Sequence, residues 1–255
     1  MYMDIHSMIS AQRRLAMTTW QGAWQIVKHE IRRDKLGLLF SLMFFTYVAV
    51  ILIPIFNERL ESEAMGQNWL LDFMYLSLLP NLGFVMNRTM FRYWRDDPFT
   101  KKIAAWRTMP ISPAHIAAAR FILLSIVLIA GWLYFFSLEY IFISAFHEKL
   151  SFLQYIGFAA FWLGYALIFA CQYVYLELGF SGKFYVSACF VYFALFGLLT
   201  YLINLSGDGA VFGVIKAVQN GQWWISALSL AVAVVALLFT NLMLRKRLAK
   251  RNLLN

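Results

Sequence analysis

The chain has 255 residues, 62% of them hydrophobic and 18% aromatic, with 14% charged and a mean hydropathy of +0.65. Soluble globular domains run at about 45–50% apolar and about 25% charged, so this composition excludes a water-soluble enzyme and describes a chain whose solvent is largely lipid. The net charge of +9 therefore bears on membrane topology and anionic lipid, and no nucleic-acid partner is expected.

Met1 to Lys35 is polar and mixed, with no apolar core ahead of a small-residue cleavage site, so no cleavable signal peptide is expected and the first membrane helix acts as the insertion signal. Within this segment Ala16, Trp20, Trp24, Val27 and Ile31 recur at helical spacing, with Arg14, Thr18, Gln21, Gln25, Lys28 and Arg32 opposite. The pattern predicts an amphipathic helix on the inner membrane face. Trp20 and Trp24 suit the headgroup boundary, while Arg14, Lys28 and Arg32 suit anionic lipid. Packing of the same helix on the ends of the spans is compatible with this.

Six apolar stretches follow, about Leu36–Phe56, Trp69–Met86, Ala117–Ile143, Phe152–Leu176, Phe184–Leu205 and Trp223–Leu244. Each is long enough to cross a bilayer as a helix, giving an all-α integral membrane protein of six spans. With a cytoplasmic N-terminus, 19 of the 22 lysines and arginines fall in cytoplasmic segments, and only Arg59, Lys149 and Lys216 fall outside. That asymmetry predicts that both termini are cytoplasmic, and an odd number of spans would misplace the basic tail, residues 245–255.

The longest cytoplasmic connection, Asn87 to Ile116, carries its own helix signals: the Asp96-Asp97 pair precedes Pro98, and Pro110 and Pro113 bracket a break. A short helix is expected at about Phe99–Thr108, with Ser112 capping the next span. Phe99, Ile103, Trp106, Met109 and Ile111 form an apolar set rimmed by Lys101, Lys102 and Arg107. Two readings stand: an anchor in a partner's groove, or packing on the ends of the spans. On the other side of the membrane, Ala210–Val218 is apolar and too short to cross, so a surface-lying or re-entrant helix is expected there.

Signals for catalysis are missing. Gly179 to Lys183 lacks the spacing of a phosphate-binding loop, and no serine sits in a nucleophile elbow. Neither His29-Glu30 nor His147-Glu148 is completed by a second imidazole, so no metal site is expected, and Cys171 and Cys189 sit in apolar runs as small core residues. Of the acidic residues in spans, Asp72, Glu139 and Glu177 lie near span ends, within reach of the interface. The groups left near mid-depth are neutral, and Thr46, Ser77 and Asn81 are the candidates for a translocation path, with a proline kink at Pro80 as the competing role for Asn81.

The N-terminal amphipathic helix, the six spans, the basic loop after the second span with its short helix and the segment Trp106–Phe121, and the outer hairpin before the sixth span together resemble the ABC-2 type permease subunits. At sequence level the match is R-x-x-P-I-S-x-x-x-I, Arg107 to Ile116. The resemblance implies an elbow-like helix at Ser10–Arg33 and a coupling element at Phe99–Ser112, including Met109, Pro110 and Ile111, that docks into a separate ATPase subunit. It also implies a second permease copy, homologous or identical, a substrate path along spans one, two and five, and a bacterial inner membrane. ATP and Mg²⁺ would be bound on the partner subunit, with no cofactor on this chain. Two other readings of the residues are an ion-coupled or facilitative carrier and a non-transporting membrane scaffold or sensor.

Overall fold

The computed structural model describes residues 18–61, 68–86, 93–107, 112–205, 207 and 209–251. Arg14, Met109, Pro110 and Ile111, and the side chain of Arg107, lie outside what is described. Every element among the described residues is helical: α1 (Thr19–Arg33), α2 (Lys35–Glu61), α3 (Trp69–Leu78), α4 (Tyr93–Asp96), α5 (Pro98–Arg107), α6 (Pro113–Phe142), α7 (Ser144–Lys149), α8 (Phe152–Gly179), α9 (Gly182–Leu205), α10 (Ala210–Gln219) and α11 (Trp224–Lys250). Local chemistry starts several of them. Thr18 and Gln21 form a reciprocal capping box for α1, as Ser151 and Gln154 do for α8, and Ser112 Oγ accepts from the His115 amide at the start of α6. Asp97 Oδ1 accepts from the Thr100 amide, so Asp97 of the acidic pair caps α5.

Five helices, α2, α6, α8, α9 and α11, are long and apolar enough to cross a membrane. The stretch Trp69–Met86, expected as one span, is instead broken. After ten residues of α3 the chain enters a 3-10 turn, Leu79–Gly83, and leaves it extended at Phe84. The cause is Pro80, which has no N–H to continue the ladder. The backbone oxygens left over are recovered by side chains: Leu76 O accepts from Tyr165 Oη at 2.8 Å and Ser77 O from Asn81 Nδ2 at 2.8 Å.

The helices share two ends. At the basic end lie α1, α4 and α5, the starts of α2, α6 and α9 and the ends of α8 and α11. Met86 N donates to Ser41 Oγ there, Arg120 meets Glu177, and Arg247 Nε donates to Gly179 O. At the far end, α7 and α10 cover the helix layer. Gln219 Nε2 donates to Lys149 O, and the Val211 amide donates to Asp72. Between the ends, α8 and α11 pack most closely. A side chain at Gly164 would collide with Ser229, while Ser226 Oγ and Ser229 Oγ donate to the Gly157 and Phe161 carbonyls at 2.7 and 2.9 Å. Small residues and hydroxyls at a contact are what joins helices where lipid is as apolar as leucine. α9 and α11 are peripheral, with 11% of each span buried against 44% of α6.

Candidate functional site

From the sequence, the cations at the basic end count for topology only. The structure instead builds a charge-balanced cluster from separate elements. Arg120, two turns into α6, places Nη2 2.6 Å from Glu177 Oε2 at the end of α8 and Nη1 3.9 Å from Glu30 Oε2 on α1. Lys102 of α5 pairs with the other Glu30 oxygen. Tyr93 of α4 donates to Glu177 Oε1 at 2.7 Å. Two carboxylates thus face two cations, and the side chains of Glu30 and Glu177 are 10% and 2% exposed. Burial lowers the Lys102 ammonium from its usual value, and Glu30 beside it pulls the other way. Burial, reinforced by Glu177, raises the Tyr93 phenol far above its usual range and keeps it a donor.

Aromatic rings wrap this cluster. Tyr93 stacks on Phe99 with centroids 5.3 Å apart, the Arg120 guanidinium lies over Phe99 at 5.5 Å, and the Lys102 ammonium over Trp106 at 4.7 Å. Arg251, just beyond α11, closes the ring of ties by donating to Leu178 O at 2.5 Å, to Phe180 O at 2.6 Å and to Thr100 of α5.

This arrangement decides between the two readings of the α5 side chains for two of them. Phe99 and Ile103 are 8% and 1% exposed and join a core with Ile116, Phe121, Val174, Leu178 and Leu244, so they pack on the ends of α6, α8 and α11 rather than forming an exposed patch. Trp106 is half-buried against the same core. Ser112 is committed to capping α6. Among the described side chains of α4 and α5, Trp94, Arg95, Lys101 and Ala105 are exposed.

Helix α1 also differs from its sequence pattern. Its docked side is Gly22, Ala23, Val27 and Glu30, set against Ala119, Leu123 and Val127 of α6 and, at Gly22, against the His115 ring. At 3.6 residues per turn this face is rotated by about a quarter turn from the tryptophan stripe. Trp20 and Trp24 remain exposed, stacked with centroids 6.5 Å apart, beside exposed Lys28 and Arg32. Both roles expected of this helix are thus compatible on different sides of it.

The mid-depth polar groups have intramolecular partners. Thr46 Oγ1 bonds Leu42 O and Tyr134 Oη at 2.9 and 2.6 Å, Ser77 Oγ donates to Phe73 O, and Asn81 to Ser77 O. The acidic residues expected at the interface are all buried. Asp72 is 1% exposed and holds the Val211 amide and Asn204, and Glu139 is 0% exposed under Tyr75. The missed signal was periodicity: Leu128, Phe135, Phe136, Glu139 and Ile143 share one buried helix face, which counting residues to the span end does not show. Among the described residues no three His, Cys, Asp or Glu side chains gather as for a metal ion. No family model, curated protein or solved structure matches the chain.

Proposed function

We propose that the chain is one permease half of an ATP-driven exporter, with α4 and α5 as the element through which a separate ATPase moves the spans. The observation that carries this is the cluster around Glu30, Arg120 and Glu177, which ties the loop helices to α1, α6 and α8. A peripheral loop needs no such tie, and a lever does. A partner would meet Trp94, Arg95 and Lys101, the exposed side, rather than Phe99 or Ile103. The tryptophans and cations of α1 add an anchor in anionic lipid.

Six passes are supported although five helices are continuous. Ten residues of α-helix and five of 3-10 helix rise about 25 Å. The segment starts where Asp72 meets Val211 and finishes where Met86 meets Ser41, so it runs the height of α2 in the opposite sense. An even number of passes sets both termini at the basic end, cytoplasmic by the charge rule, in the inner membrane of a bacterial cell. A second copy would complete the path.

The test is to purify the chain in mild detergent with the proteins that accompany it and measure ATP hydrolysis. We expect hydrolysis that is lost when Arg95→Glu and Lys101→Glu are combined, with thermal stability unchanged. A wild-type preparation that hydrolyses no ATP overturns the reading in favour of a carrier or scaffold. Separately, cysteines at Glu63 and His147 should react with an impermeant thiol reagent in intact cells and those at Lys101 and Lys250 should not. Labelling at Lys101 overturns the orientation.

A further inference from the structure

Glu139 lies one turn from the end of α6 and is 0% exposed. The shell around Glu139 and its partner Tyr75 is built from five elements. α3 contributes Tyr75, and α8 contributes Tyr155 and Trp162. Phe146 of α7 and Phe212 of α10 complete the aromatic shell through Phe56 of α2. The titratable groups there are Tyr75, Tyr155, whose Oη donates to Phe136 O at 2.6 Å, and Tyr140 with His147, whose rings lie 4.3 Å apart. Asp72, one turn before Tyr75, is occupied by the Val211 amide and Asn204. Among the described residues no ion pair is formed by Glu139. A carboxylate without a cation in such a shell is strongly disfavoured.

The contact geometry is more specific than burial. Both Glu139 oxygens stand 2.7 Å from the single Tyr75 oxygen. A phenol has one proton, which a carboxylate would have to share between the two lines, whereas a neutral acid brings a second proton and gives each line its own. Within this shell the carboxyl itself supplies it: its O–H donates to Tyr75 Oη while Tyr75 O–H donates to the carbonyl oxygen. The Trp162 indole N–H, in the same shell with its ring 4.9 Å from Tyr75, has no acceptor among the described residues.

We propose that Glu139 is a proton-binding site at the far end, occupied in the structure described here, and that the bound proton clamps α3 to α6 through Tyr75. Release gives a carboxylate and a proton passed to water, removes one of the two bonds across the clamp, and loosens the contact under α7 and α10. The inference does not depend on the ATPase reading, because it concerns a site at the opposite end from α5.

Infrared spectroscopy of the full chain in lipid nanodiscs tests it. At neutral pH a carboxylic-acid C=O band should be present, should shift when glutamate is labelled with ¹³C at its side-chain carboxyl, and should vanish in Glu139→Gln. In Tyr75→Phe it should move to higher frequency, because the phenol bonds are gone. Raising the pH should remove it from the wild type. If Glu139→Gln does not fold, the labelled wild type and Tyr75→Phe still decide. Absence of a glutamate-derived acid band at neutral pH, or a band that Glu139→Gln or Tyr75→Phe leaves unmoved, overturns the proposal.

Discussion

The two ends of the helix layer bury acidic side chains in opposite ways. At the basic end Glu30 and Glu177 are met by Lys102 and Arg120, and the bonds cross from one element to another. At the far end Glu139 and Asp72 have no cation partner among the described residues, and are met by a phenol, a backbone amide and an asparagine beside an aromatic shell. Paired charges cost little to keep ionised and resist separation, whereas a lone buried carboxyl is satisfied only as long as its neutral or capping partners stay in place. The first end suits the transmission of force between elements, and the second suits a closed cover that responds to a change at one group.

Breaking the charge balance gives the largest expected effect. Arg120→Met leaves Glu177 facing only Tyr93, and it should lower stability by about 3–5 kcal/mol, read from thermal unfolding in detergent. Arg120→Met combined with Glu177→Met should recover much of that loss, because an apolar pair of similar volume replaces the ions, short of the acceptor that Tyr93 loses. If the double variant is less stable than the single one, the cluster is not held by charge balance. Removing packing from the same end comes next: Ile103→Ala should cost about 2–4 kcal/mol by leaving a cavity between α5 and the helix ends, and a loss under 1 kcal/mol would place Ile103 outside the core.

At the far end Tyr75→Phe should cost about 1–3 kcal/mol, the penalty for a buried carboxyl left without its partner. The smallest effect on folding belongs to α1. Lys28→Glu with Arg32→Glu should change stability by no more than about 0.5 kcal/mol, since both are exposed, yet weaken binding to anionic vesicles by about 1 kcal/mol for each cation lost. Equal binding of the wild-type segment to neutral and anionic vesicles would remove the lipid role of this helix.

Length and hydropathy located the continuous spans to within a few residues, because a run of more than twenty apolar residues admits one structure in lipid. Caps were equally legible: Ser112 and Asp97 start α6 and α5 because a short side-chain oxygen reaches the orphan amides of the first turn. The break after Leu78 was visible only as a proline, since whether Pro80 bends or ends the helix depends on acceptors and donors such as Tyr165, which lies 85 positions away in the chain. The site was the least legible. Nothing near Glu30 in sequence announces Lys102 or Arg120, and the docked side of α1 is marked by Gly22 and Ala23, which carry little apolar signal of their own but allow close approach to α6. Lysines and arginines counted for topology carried no sign that Arg120 is a structural ion.

The central claim is that α5 and α1 move with the spans as one body when ATP is hydrolysed. In a chain with Cys171 and Cys189 replaced by alanine, cysteines at positions 30 and 102 can be joined by a short thiol-reactive crosslinker and ATP hydrolysis by the purified assembly compared before and after. The two substitutions remove the Glu30–Lys102 pair, and the account predicts that joining the cysteines, which restores a tie between parts that travel together, leaves hydrolysis unchanged or raises it. Inhibition that is undone when a cleavable crosslinker is cut would contradict it, showing that α5 slides against α1 during the cycle.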